Sequence, residues 1–311
     1  MKKIKFLSAI IAAVAGFAFS SCLGDGSTRI TTERNLSGSQ NFSYITDLQT
    51  NEEYIVGTGA NYSMSLESTE LTFGLYATGL QVKAGGGSYT FRIKDIKYKY
   101  DKFGAIQVSI PNYTDSENNV VISDFDLNYQ QRSIGYMNMD IYTMTYTLDN
   151  RFKIRVIQTS IFYFGDTEIK EISTSEIKET NRTSYYCIAV DPKTLDGKKM
   201  DASLWVYNIL IPGQKAKTNY NISEPLYITY SSNGYTLEGI NVKVFEDGSK
   251  TPSSLVASNV QGNGTYFLRD DGEKRQPNLL LGITIDNQYR INASVGYSFT
   301  KELADQFSGL N

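Results

Sequence analysis

The groups in this chain that could do chemistry are carboxylates, amines, hydroxyls and two thiols, because none of its 311 residues is histidine. Without imidazole, Ser-His-Asp and Cys-His catalysis, HExxH zinc sites and most imidazole metal centres are excluded. Cys187 stands in Tyr185-Tyr-Cys-Ile-Ala-Val190, with no base or cation beside it to generate a thiolate, and reads as a buried, inert thiol. Gly85-Gly-Gly87 is followed by Tyr89-Thr-Phe-Arg-Ile93, which alternates as a strand. It therefore reads as a hairpin loop and not as a phosphate loop, which needs Gly-Lys-Ser/Thr at a helix start. Asp270, Asp271 and Glu273, and the Asp124-x-Asp126 pair, carry oxygen ligands of the kind calcium takes. Neither cluster fits the 12-residue calcium loop, and both read as solvated turns. The same carboxylates could pair as a glycosidase acid and base, but no spacing singles out two of them. The expectation is a protein with no catalytic residues, no metal and no cofactor.

Trp205 is the single tryptophan. In Ala202-Ser-Leu-Trp-Val-Tyr207, Ala202, Leu204 and Val206 share one face of a strand, and Trp205 and Tyr207 share the other. The first face reads as core. The second offers an aromatic pair on which a sugar ring could stack, so Trp205 and Tyr207 are the candidate ligand-binding residues.

The elements that must hold these residues are strands. There are 23 tyrosines and 15 phenylalanines against six prolines, a composition suited to pleated surfaces. Short alternating runs recur between Gly, Asn and Asp breaks, as in Tyr62-Ser-Met-Ser-Leu66, Ile106-Gln-Val-Ser-Ile110 and Tyr289-Arg-Ile-Asn-Ala293. Period-two alternation with frequent turns is the pattern of antiparallel sheets with one buried face. One short helix is expected, Lys301 to Phe307, capped by Thr300.

Four segments recur in the same order. Tyr62–Leu66 matches Tyr186–Val190 at an offset of 124, and Leu71–Tyr76 matches Ala202–Tyr207 at 131. Ile96–Ile110 matches Leu226–Ile240 at 130, with Gly104 and Gly234 closing equivalent turns, and Tyr146–Asn150 matches Ile283–Asn287 at 137. Asp-Asn in the last pair suits a two-residue hairpin turn, since both residues tolerate positive φ. The expected organisation is all-β, two tandem antiparallel sandwich or small barrel-like domains. Residues 41–172 form the first and 183–311 the second, with 173–182 as a polar linker.

The first 40 residues read differently. Lys2, Lys3 and Lys5 precede the apolar run Phe6–Phe19, which is too short to span a bilayer and has the form of a signal peptide. Ser20 and Ser21 lead into Cys22. This resembles the lipobox of Bacteroidota-type bacterial lipoproteins, with Phe19 where that pattern usually has Leu. The resemblance covers residues 1 to 22 and implies cleavage after residue 21, diacylation of Cys22 and attachment to a membrane, the outer one because no Asp stands directly after the cysteine and no acidic run follows. Residues 22–40 are rich in Gly, Ser and Thr and read as a tether with a reach on the order of 25 Å. Cleavage removes three lysines and moves the formal charge from −3 to −6. That balance, with no basic stripe, excludes nucleic acid as a partner. Three functions compete: an envelope protein that binds glycans or other nutrients, a structural or adhesive surface protein of fimbrial layout with a protein partner, and a carboxylate-dependent hydrolase.

Overall fold

The computed structural model describes residues 31–101, 104–134, 137–266 and 279–296. The expected signal peptide, Cys22, the Asp270–Glu273 cluster and the C-terminal helix lie outside them. The described chain is all-β, and the described residues fall in one compact unit. No helix among the described residues is long and apolar enough to cross a membrane.

The first half holds β1 (Thr31–Leu36), β2 (Asn41–Asp47), β3 (Glu52–Val56), β4 (Asn61–Glu67), β5 (Thr72–Gln81), β6 (Ser88–Lys97), β7 (Lys99–Tyr100), β8 (Ile106–Asp115), β9 (Val120–Ile134), β10 (Met137–Leu148) and β11 (Phe152–Gln158). These make two sheets, one ordered β1-β4-β5-β6 and the other β3-β2-β11-β10-β9-β8-β7. Their inner faces share a core that includes Phe73, Phe91, Phe125, Met144 and Ile154. Of the phenols buried in it, Tyr62 and Tyr146 satisfy each other with a hydrogen bond of 3.0 Å. A buried hydroxyl without a partner would cost about 1–3 kcal/mol.

The second half holds β12 (Ser160–Glu171), β13 (Ile177–Asn181), β14 (Tyr185–Asp196), β15 (Lys199–Ile209), β16 (Thr218–Tyr230), β17 (Gly234–Glu246), β18 (Val256–Thr265), β19 (Leu279–Ile285) and β20 (Tyr289–Gly296). β12 pairs with both β14 and β20, so eight strands close into a barrel and β13 extends along β12 outside it. An eight-stranded barrel is just wide enough to be filled by side chains. Leu204, Ile222, Leu237, Val260, Leu281 and Ile291 belong to this core.

The two halves follow one pairing order. β2 and β3 stand to β11 as β12 and β13 stand to β20. Asp149 and Asp286 both have positive φ, as do Asn150 and Asn287, the requirement of a type I′ hairpin. Each aspartate makes the same bracket with a neighbouring strand: Val121 donates to Asp149 Oδ1 at 3.0 Å, and Val256 to Asp286 Oδ1 at 2.8 Å. The Leu48 amide donates to Arg151 O, and the Ile172 amide to Gln288 O, both at 2.8 Å. These equivalences fall at offsets of 124 for Leu48 and Ile172, 135 for Val121 and Val256, and 137 for Asp149 and Asp286. The closing glycines differ. Gly104 has φ +79°, whereas Gly234 is not left-handed; it is small because a Cβ there would lie 2.0 Å from the Gly264 carbonyl.

Three expected boundaries are corrected. Thr31–Gln40 is not tether: β1 pairs with β4 from Thr31 to Leu36, Leu36 is buried, and a short 3-10 turn follows, capped by Ser37. Residues 173–182 are not a linker. Ser173–Ser175 lies in a turn and Ile177–Asn181 pairs with β12 as an edge strand, whose charges are the usual protection of an exposed edge. The chain passes from the first set of sheets to the barrel at Thr159, and β12 belongs wholly to the barrel.

Candidate functional site

Trp205 and Tyr207 do lie together on the outer face of β15, both half-buried. Their rings stack at 6.2 Å between centroids and 15°. Sequence reasoning missed the rest of the cluster. Tyr185, directly across from Tyr207 on β14, stacks on it at 4.4 Å and 8°, and Phe162 and Phe164 of β12 continue the row. At 4.4 Å the faces of Tyr185 and Tyr207 are turned to each other. Cross-strand aromatic pairs of this kind stabilise a sheet, and Trp205 stands at one end of the row. Cys187 lies beneath, between Phe162 and Trp205 in register. It is buried, and desolvation pushes its thiol up to about 12, so it stays protonated at neutral pH.

The other candidates resolve as turns and loops. Gly85-Gly-Gly87 lies in the hairpin between β5 and β6. Asp124 occupies a bulge of β9 with φ +49°, and Asp126 accepts a hydrogen bond from Ser109 Oγ at 2.7 Å.

Asp126 also belongs to a site that alternation alone could not reveal. The outer face of the β2–β11–β10–β9–β8 sheet is turned toward the barrel. Phe42, Tyr44, Ile141 and Ile157 of that face join the barrel's core cluster, and Phe42 meets Tyr230 edge-on at 5.2 Å. Where the sheet leaves the barrel rim a hollow of about 340 Å³ opens. Two cross-strand rows form its sheet side, Gln107–Asn128–Thr143 and Ser109–Asp126–Thr145, and Tyr163, Tyr235, Thr265 and Tyr266 form its barrel side. A second hollow of about 300 Å³ meets the first at Thr145 and Arg155, and is lined by Tyr44, Thr46, Glu53, Lys153, Ser232 and Asn233. Arg155 stands between them. Its guanidinium lies 4.3 Å over the Tyr266 ring and donates to the Ser232 carbonyl.

The relation of the walls is held by a buried-edge cluster. Lys198 Nζ donates to Tyr44 Oη at 3.0 Å and to Glu53 Oε2 at 2.9 Å, and Tyr44 Oη donates to the same carboxylate at 2.7 Å. Hydrogen bonds from Tyr44 and then Lys198 hold the Glu53 carboxyl below its ordinary value. Lys198 lies within the β14–β15 excursion, Asp191 to Asp201, that makes the second half longer than the first. Pro192 in that excursion lies against Gly57, where a Cβ would come 2.9 Å from the Pro192 carbonyl. The extra residues therefore clasp the first half. A roomier hollow of about 680 Å³ lies on the outer barrel wall near Pro225, but it is walled by one body alone and has no aromatic or amide cluster converging on it apart from Tyr227.

Comparison with protein families, with curated proteins and with solved structures gives no match.

Proposed function

We propose that the mature protein is a non-catalytic binding protein of the cell envelope, anchored in the outer membrane through lipid on Cys22, and that its ligand occupies the hollow between the first-half sheet and the barrel rim. The observation that supports this reading is the convergence of Gln107, Asn128, Thr143 and Thr145 with the rim tyrosines around about 340 Å³. Concave sites between two bodies, with a few placed polar groups, are where small ligands are usually held. Its polar groups are hydroxyls, amides, one carboxylate and one guanidinium, a set fitted to hydrogen bonding, and they stand beside an apolar wall that includes Ile141, Ile157 and Ile161. The matched pairing order of the two halves supports a second part of the proposal, that the chain arose by duplication and that the groove is a product of joining the copies.

The test is a thermal-shift screen of the mature chain against monosaccharides, linear oligosaccharides, amino acids and short peptides. At least one class is expected to raise the unfolding midpoint, and Thr145→Trp, which fills the hollow from a half-exposed position, should abolish that rise. A screen without any rise, or a rise untouched by Thr145→Trp, defeats the reading.

A further inference from the structure

We propose that the ligand is a linear, uncharged oligosaccharide that lies across the strands and fills both hollows; this rests on the placement of the site argued above. The register decides the shape. Ser109, Asp126, Thr145, Arg155 and Tyr44 are successive cross-strand partners on β8, β9, β10, β11 and β2. The first four line the hollow under the rim, and Thr145, Arg155 and Tyr44 line the next one. Five strands have four gaps of about 4.8 Å, so the row is about 19 Å long, the length of roughly four linked pyranose rings. A compact monomer would leave most of that row empty.

The chemistry of the row decides the class. β2, β11, β10 and β9 have neighbours on both sides, and β8 pairs with β9 and, at Ile106 and Gln107, with β7. The row crosses the face of the sheet, where backbone groups are committed to the ladder, so an extended peptide lying along it cannot add as a strand. Recognition falls to side chains, and the polar ones are mainly hydroxyls and amides: Ser109, Thr143, Thr145 and Thr46 with Gln107, Asn128 and Asn233. Such groups donate and accept on one scaffold, as a ring of sugar hydroxyls requires. The charges do not sum to a recognition site for an ion. Asp126 is bonded by Ser109, and Glu53 by Tyr44 and Lys198. The chain of sugars would cross the Arg155 tie at its middle, with Gln107 and Asn128 at one end and Lys153 and Asn233 at the other.

The experiment is calorimetry on the full mature chain with α-1,4- and β-1,4-linked glucose oligomers and β-1,4-linked xylose and N-acetylglucosamine oligomers of one to six units. Affinity in at least one series should climb with length to about four units and then level. Two double variants probe the ends, Gln107→Ala with Asn128→Ala, and Lys153→Ala with Asn233→Ala. All four side chains are at least partly exposed, so the fold is retained. Each double variant should weaken the hexamer about tenfold, the effect of losing one or two hydrogen bonds. Only one of them should weaken the dimer. Affinity that is flat with length, or a hexamer sensitive to one end alone, overturns the inference. If no oligosaccharide binds but an amino acid or peptide raises the midpoint in a manner lost with Thr145→Trp, the binding reading stands and this inference falls. If nothing binds, both fall.

Discussion

Replacing Trp205 by alanine separates the two roles that an outward aromatic can have. A fully buried Trp truncated to Ala costs about 3–5 kcal/mol. Trp205 is half-buried and touches Tyr207 in the stacked row, so about half of that cost, ~2 kcal/mol, is expected, or a fall of about 5 °C in the unfolding midpoint. Part of the loss is the ring pair itself. A double-mutant cycle with Tyr207→Leu should return a coupling of about 0.5–1.5 kcal/mol. A second readout comes from Cys187, whose register neighbour is Trp205. In a background with Cys22→Ala, Trp205→Ala should speed labelling of the remaining thiol by a disulfide reagent, because the cover that desolvates it is gone. Oligosaccharide affinity should be unchanged, since the row and the groove are on different walls. A variant as stable as the parent, with slow thiol labelling and lost saccharide binding, would refute the reasoning and restore Trp205 and Tyr207 as the binding platform.

Three other outcomes follow from the geometry. Glu53 is held below its ordinary carboxyl value of 4.5 in the folded state, so its contribution is complete above that pH and is lost as pH falls through the folded value; the unfolding midpoint should drop below about pH 4.5, and Glu53→Gln should flatten that drop. Asp149→Ala and Asp286→Ala each remove a strand bracket and place alanine at positive φ, which should cost about 2 kcal/mol apiece in urea unfolding; because the sites are in different bodies, the double variant should cost their sum. Cys22→Ala should move the protein from the membrane fraction to the soluble fraction, and full membrane retention would remove the lipid anchor from the proposal.

Strands and turns were legible because their causes are local. Alternation in Tyr62–Leu66 marks the buried face of β4, and Asp-Asn marks a turn because those residues bear positive φ cheaply. Boundaries were less so where strand chemistry imitates loop chemistry. Ile177-Lys-Glu-Thr-Asn181 is charged because it is an edge, and the same charges read as a linker. Thr31–Leu36 is polar because its outer face is wet, and only its pairing with β4 shows that it is a strand. Gly264 is the bed of the Tyr235 ring: a Cβ there would lie 2.0 Å from that ring's Cζ, a requirement that only the folded strand pair reveals. The groove was not legible at all. Gln107, Asp126, Thr143 and Arg155 are each an ordinary outward residue of an alternating strand, and only register and the closeness of a second body make them neighbours.

That closeness has a source in how the two halves differ. In the barrel, β12 is one strand that serves β14 with its first residues and β20 with its last. In the first half the same course is cut in two, with β1 serving β4, β2 serving β11 and the Gly38–Gln40 turn between them. β16 runs unbroken from Thr218 to Tyr230, whereas its counterpart is divided into β6 and β7. Two cuts at opposite corners turn a closed barrel into two facing sheets, and a sheet freed of barrel curvature presents a broad outer face. Ile141 and Ile157 give part of that face to the barrel rim, and the threonine, asparagine and glutamine rows beside them stay wet. The closed half supplies the rim tyrosines and, through its longer β14–β15 excursion, Lys198 to hold the rim in place. If the halves were alike, either two barrels or two sandwiches, the open face and the rim would not occur together. The asymmetry between the halves is therefore the structural origin of the groove, and Lys198 ties its two walls through Tyr44 and Glu53.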